Sequence, residues 1–515
     1  MDDLKAYSSS YSGIEKALAV IEQFSTDIGM SLGLSKCKVL NMRKGKYVAL
    51  GGVKLASGGM VQELQEDEAY KYLGVEELVG VRHEKMKEKV WVSAKGKLRK
   101  LLESELNSRN LFVAINECVI PIISYSFGVV YWLESDLKEL DIKIRKMLHM
   151  YRVFEIKSDV DRLYAPRAAG GRGLQSVWDV HRMTICRLGH VLKNSPCEVL
   201  QACAKVDMKG LFSVQKKAEK FLEGVTLDHS DKFHAKPLLS QARVVSKAVR
   251  DVTLNDRLEC WRSKPQHGAY LRLLDEHGLH VKHSLGWLNK IHLDGHSEAY
   301  VCAAQELALF TRYHEMHIIK SRNDDLCRVC RKQPETIFHI LSGCDVLSKR
   351  EYFTRHNQLC QYIHYELLKH YGFAVGPNWY AHKPCDVVSS KNVEIAYDQM
   401  ITTDRPIGAN RPDILIRDMG AKKTYIVDIS CPCDVNVALK ENEKISKYGA
   451  LRKELTKMWS GDCLIIPVVV GALGAVSNDM EKHLKSLPGN AKMSLCQKIT
   501  VIGSSTMLQS VLSRR

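Results

Sequence analysis

What this chain lacks narrows its class before any motif is read. No apolar run is long enough to span a bilayer, which takes about 20 residues in a helix. The longest, CLIIPVVVGALGAV at 463–476, better fits a buried strand. The opening MDDLKAYSSS has no basic n-region and no apolar h-region, so no export signal is expected. Internal repeats and low-complexity tracts are missing too. Acidic residues fall short: 59 Asp and Glu face 75 Lys and Arg, a net charge of +16 with a pI near 9.0. Such an imbalance says nothing about fold. It favours a polyanionic partner, and with no spanning segment nucleic acid fits better than a membrane face.

The length, 515 residues, suggests three or four domains, and 45% apolar content is enough to bury sizeable cores. Sixteen cysteines without an export signal imply reduced thiols, some available to a metal. These readings describe an intracellular, multidomain, nucleic-acid-facing protein. Residues 1–80 mix helix and strand: GIEKALAVIEQFSTDIG has helical periodicity, and β-like pieces follow at KCKVLNM, KYVALGGVKL and YKYLGV. Residues 81–155 read as basic helix followed by the more apolar IPIISYSFGVVYW. The segment RLYAPRAAGGRGLQS is turn-rich, its glycines and proline marking a loop within a mainly helical stretch to 320. From 347 helix and strand alternate, ending in an α/β pattern.

CRVCRKQPETIFHILSGC carries Cys327, Cys330, His339 and Cys344 in a C-x2-C-x8-H-x4-C spacing. Zinc takes four N or S donors in a tetrahedron, and C-x2-C presents two thiolates from one tight turn. The following ETIFHILSGC can form a short helix that returns an imidazole and a third thiolate. A chance CxxC with a core histidine is the bland alternative, but it does not explain the last two donors arriving within the same unit. Cys431 and Cys433 have no matching histidine and read as core thiols.

RPDILIRDMGAKKTYIVDIS places Asp413 before one apolar run and Asp428 after another, across a Gly/Lys turn. Either both acids begin turns and point to solvent, or they converge on a cation. A Mg²⁺ site for phosphodiester hydrolysis also needs a nearby positive charge. Two residues after the second acid, where a lysine is usual, the sequence reads Ser430. The next helix offers Lys440, Lys444 and Lys447 on one face. Glu443 and Lys447 can form a surface i,i+4 pair, a bland role for Lys447.

Taken in order, these residues resemble a known family. MDDLKAY, with Asp2 and Asp3, is similar to the catalytic hairpin of reverse transcriptases. GMSLGLSKCKVL, containing Lys36, resembles the next palm motif, and YKYLGV the primer-grip hairpin. RLYAPRAAGGRGL, the Cys/His unit, RHN at Arg355–Asn357, and RPD with Asp428 and EKISKY follow. The whole chain looks like the C-terminal part of a non-LTR retrotransposon polyprotein with a restriction-like endonuclease, nearest to the Dong-like and ribosomal-DNA-inserting groups.

That resemblance implies a multidomain α+β chain. Residues 1–80 would be a partial polymerase palm, 81–155 a helical thumb, 156–320 a helical linker, 321–346 a CCHC zinc knuckle, and 347–515 an α/β restriction-like endonuclease. It implies target-primed reverse transcription, in which the free 3′ end of a nicked DNA target is extended with the element RNA as template, in the nucleus. No membrane partner and no oligomeric state are implied. Asp413 and Asp428 would bind Mg²⁺, completed by Lys444 or Lys447. Arg355 and His356 would lie near DNA, and Arg328, Arg331 and Lys332 would contact phosphates beside a structural Zn²⁺. The chain starts inside the polymerase hairpin, so the third carboxylate of a two-metal polymerase is not expected, and Asp2, Asp3 and Lys36 read as relics. The alternatives are a catalytically inactive RNA- or DNA-binding remnant of a decayed element, or an inert one.

Overall fold

A Ser10 hydroxyl accepting the Gly13 N–H at 3.1 Å opens the first helix, Tyr11–Asp27, and short strands between Lys38 and Glu77 follow it. This is a computed structural model that describes residues 4–65, 68–77, 80–227 and 230–514; Asp2 and Asp3 lie outside the described residues. The protein is mixed α/β, about half helical, with several small sheets. All sixteen cysteines are free thiols. No described helix is long and apolar enough to cross a membrane.

Contacts divide the chain into two compact units, each discontinuous in sequence. One comprises the chain up to Lys97, Cys118–Leu140 and Val177–Val249; the other Leu98–Glu117, Asp141–Ser176 and Arg250–Arg515. Both the 81–155 and the 156–320 segments are therefore shared between units.

In the first unit YKYLGV forms a hairpin, Tyr70–Tyr72 against Val75–Glu77, closed by Leu73 and Gly74, both at positive φ. Lys36 is exposed on a single turn, and its carbonyl accepts the Tyr70 hydroxyl at 3.1 Å. Part of this unit's core is aromatic. The His181 ring lies parallel to Trp178 at 5.9 Å and edge-on to Phe127 at 4.9 Å. Burial, with the Lys217 charge, pushes this imidazole down to about 4. An unfolded histidine protonates near 6.5, so stability is present above that pH and lost as pH falls toward 4. The expected loss is up to about 3 kcal/mol in urea unfolding followed across that window. His181→Phe should remove it.

The second unit holds the C-terminal α/β layers. Helix α1 (Phe353–His370) precedes strands β1 (Val387–Ser389), β2 (Val393–Tyr397), β3 (Ile414–Asp418) and β4 (Lys423–Ser430). Helices α2 (Val437–Lys447) and α3 (Gly449–Trp459), strand β5 (Asp462–Val469), and helices α4 (Met480–Ser486) and α5 (Met493–Leu512) follow. The sheet order is β5-β4-β3-β2-β1, antiparallel throughout except for the parallel β4–β5 pair. A parallel pair needs a crossover, and α2 and α3 supply it. Alternation then sorts the side chains. Val427 and Ile429 of β4 join Leu359, Ile363 and Leu367 of α1, whereas Ile426 joins Leu451 and Leu455 of α3. The run at 463–476 is β5 and the turn beyond it, as its apolarity predicted.

Candidate functional site

Two clusters stand out. The first is the Cys/His unit. Cys327, Cys330, His339 and Cys344 present donor atoms that all lie within 4.8 Å of one another, and they could hold a metal ion. Cys330 Sγ is 3.3 Å from His339 Nε2. A tight turn brings the first two thiols together: Arg331, at φ 56°, donates its N–H to the Cys327 carbonyl. Burial holds the His339 pKa below its ordinary value, which keeps the ring neutral as a ligand must be. Three thiols and an imidazole in this spacing are compatible with zinc. Cys344→Ser should therefore lower the zinc content of the purified protein by about one equivalent. An unchanged content would remove the claim.

The basic neighbours of this unit divide. Arg331 and Lys332 are exposed, each in a surface ion pair, with Asp324 at 3.3 Å and Asp345 at 2.6 Å. Arg328 is not available to a phosphate. Its guanidinium clasps the buried Glu335 at 2.7 Å and donates to the carbonyls of Leu512 and Arg514. It braces the unit against the end of α5, a role that local sequence could not reveal.

The second cluster lies at one end of the large sheet. Ile414 pairs with Val427, so one residue further the register sets Asp413 across from Asp428. Asp428 is 3% exposed. Its Oδ2 meets the Lys444 ammonium, and its Oδ1 lies 2.7 Å from the Tyr448 hydroxyl and 3.8 Å from Lys447 Nζ. Asp413 Oδ2 accepts the Ile429 N–H at 2.5 Å and lies 3.3 Å from His356 Nε2 on α1. Lys444 also lies within electrostatic reach of Asp413. Lys444 therefore bonds Asp428 and acts on Asp413 through its charge, and neither acid is exposed as a turn residue would be. Sheet pairing brings together what the chain separates by fifteen residues.

Charge balance at this end is tight. Burial pulls the Lys444 ammonium down to about 8, with Lys447 adding to the fall and Asp413 opposing it. The Asp428 contact opposes it as well, since an opposite charge favours the protonated form. Burial disfavours charge on His356, yet the hydrogen bond and charge of Asp413 overcome it and hold the imidazole above its ordinary value. In return, although burial would raise the Asp413 pKa, His356, the Ile429 N–H and Lys444 keep it below the usual range.

Three expectations change. The Glu443–Lys447 pair does not form: Glu443 takes Lys440 at 2.6 Å, and Lys447 turns to Tyr448 and Asp428. Lys444 remains the closer lysine, but because α2 aims it at Asp428. Arg355 is buried, bound to Ser504 Oγ and to the carbonyls of Leu341 and Cys431, and cannot reach a DNA backbone. His356 is no plain surface residue, since it partners Asp413. Tyr448 went unread in the sequence. It is fully buried where α2 gives way to α3, and only the fold brings its hydroxyl to Asp428. Among known protein families and curated proteins, none matches this chain.

Proposed function

We propose that the C-terminal part of this chain is a metal-dependent DNA endonuclease and that the whole is a retrotransposon protein serving target-primed reverse transcription. The carrying observation is that Asp413 and Asp428 stand at the same sheet end, with Lys444 bonded to Asp428 and acting on Asp413 through its charge. Held by the two carboxylates, Mg²⁺ would supply the Lewis acidity and water activation that phosphodiester hydrolysis needs; two hard oxygen donors fit its usual protein ligand count. Lys444 then faces the scissile phosphate with a proton that burial makes easy to release, suited to stabilising developing charge or to proton transfer. Tyr448 holds Asp428 in place through its hydroxyl, and His356 does the same for Asp413.

The net charge of +16 and the exposed Arg331 and Lys332 suit a nucleic-acid partner, with target DNA and element RNA as the two candidates and the nucleus as the place of work. A second reading, an RNA- or DNA-binding protein without catalysis, is favoured by one feature. Both Asp428 oxygens already have protein partners, as a purely structural ion pair would. Incubation with supercoiled plasmid separates the two. The enzyme reading expects nicked circles with Mg²⁺ and none with chelator, whereas binding without nicking under any divalent cation supports the second.

A further inference from the structure

We infer that His356, Cys360 and Asp413 form a second metal site, suited to a borderline transition-metal ion such as Zn²⁺ and not to Mg²⁺. It shares Asp413 with the proposed nuclease centre but does not rest on that reading.

His356 and Cys360 are four residues apart on α1 and so lie on one helix face, the spacing by which a helix offers two ligands to one ion. Asp413 comes to them from the start of β3. One ligand atom from each of the three lies within 4.8 Å of the other two. The individual separations are more telling. His356 Nε2 is 3.3 Å from Asp413 Oδ2 and 3.7 Å from Cys360 Sγ. Tetrahedral zinc with ordinary bond lengths sets its N and O ligands about 3.4 Å apart and its N and S ligands about 3.6 Å apart. The Cys330–His339 edge of the first cluster, 3.3 Å, is of the same kind.

The surroundings also fit. A ligating imidazole usually gives its other N–H to an oxygen, which fixes the tautomer. His356 Nδ1 has the Asn357 side-chain carbonyl at 3.1 Å, leaving Nε2 to face Asp413. Cys360 Sγ stands beside the ring, 3.6 Å from Nδ1 and 3.7 Å from Nε2, and ligates once it turns toward the Nε2 side. Asp413 is steadied by the Ile429 N–H. The Ile429 carbonyl lies 3.2 Å from Nε2, a further oxygen beside the three donors. A thiolate selects against Mg²⁺, whose ligands are hard oxygens. On binding, the Cys360 thiol gives its proton to solvent. The competing reading is that Cys360 is packing: it is 1% exposed and joins the cluster of Leu359 and Ile363.

Zinc counted on the full chain, saturated with Zn²⁺ and then desalted, decides between them. About two equivalents are expected for wild type, falling to about one in Cys360→Ala and in Cys344→Ser, and to almost none when both are changed. Asp413→Asn keeps the side-chain volume and the acceptor for Ile429. It should lose the same equivalent, and it carries the test where Cys360→Ala fails to fold. If Cys360→Ala and Asp413→Asn retain wild-type zinc while Cys344→Ser loses one equivalent, the inference is wrong. Plasmid nicking is scored separately: activity lost in Asp413→Asn at unchanged zinc content would leave the nuclease reading standing and remove only this one.

Discussion

Asp428→Ala is expected to lower plasmid nicking by at least about 10³-fold while duplex binding persists. Loss of a single preorganised electrostatic contact to a transition state already costs about 10²–10³-fold, and this change removes a proposed cation ligand and the anchor of Lys444 together. Stripping one member from a buried pair also threatens stability, by about 3–5 kcal/mol where the remaining charge is trapped. Here burial has already brought Lys444 down to about 8, so the lysine can shed its proton and much of that cost. Asp428→Asn, which keeps the contact with Tyr448, serves as the fold-preserving companion. Lys444→Met should fall by about 10²–10³-fold, and Lys447→Met, whose ammonium is 3.8 Å from Asp428, by no more than about tenfold. The reading collapses if Asp428→Ala nicks as fast as wild type.

Local pattern carried more of the fold than of the site. The helix at Tyr11–Asp27, the YKYLGV hairpin and the strand Asp462–Val469 within the apolar run follow from periodicity and turn chemistry, which act within a few residues. The Cys/His cluster was equally legible, because all four donors come from one turn and one short helix. The acids were half legible. Two carboxylates bounding adjacent β-type runs suggest a shared end, and the register sets the two positions opposite each other there. What supports them was not legible at all. Tyr448 and His356 approach from a helix junction and from α1, and Arg355 looks in sequence like any surface arginine. Burial of a polar residue is decided by distant partners, and no local signal reports those.

The segment RLYAPRAAGGRGL shows the same limit at its largest energetic scale, and Glu298→Ala is the change that should expose it. Its glycines do mark a turn: Gly170 sits at φ 88°, and a Cβ on Gly171 would fall 2.1 Å from the Ala165 carbonyl oxygen. Yet the loop is interior. Arg162, Arg167 and Arg172, five residues apart, all point inward and are almost fully buried. Arg167 forks onto Glu298 at 2.5 and 2.9 Å, and Arg172 meets the same carboxylate at 3.0 Å and Ser108 Oγ at 3.1 Å. Arg162 is matched separately by Glu306 and the Cys302 carbonyl. Burial would raise the Glu298 pKa, but Arg172, Arg167 and Ser108 hold it below the ordinary range, so the carboxylate stays charged. Removing it leaves two guanidinium groups in one dry pocket. Neither can titrate away, and carbonyls of Leu288 and Val153 keep both from turning to solvent. The expected cost is about 3–5 kcal/mol, a fall in Tm of roughly 4–7 °C for a unit of this size. Arg167→Met added to Glu298→Ala should recover part of it, because the trapped like charges, more than the lost pair, make the single change severe. A single variant that melts with wild type would mean that this loop opens to water in solution.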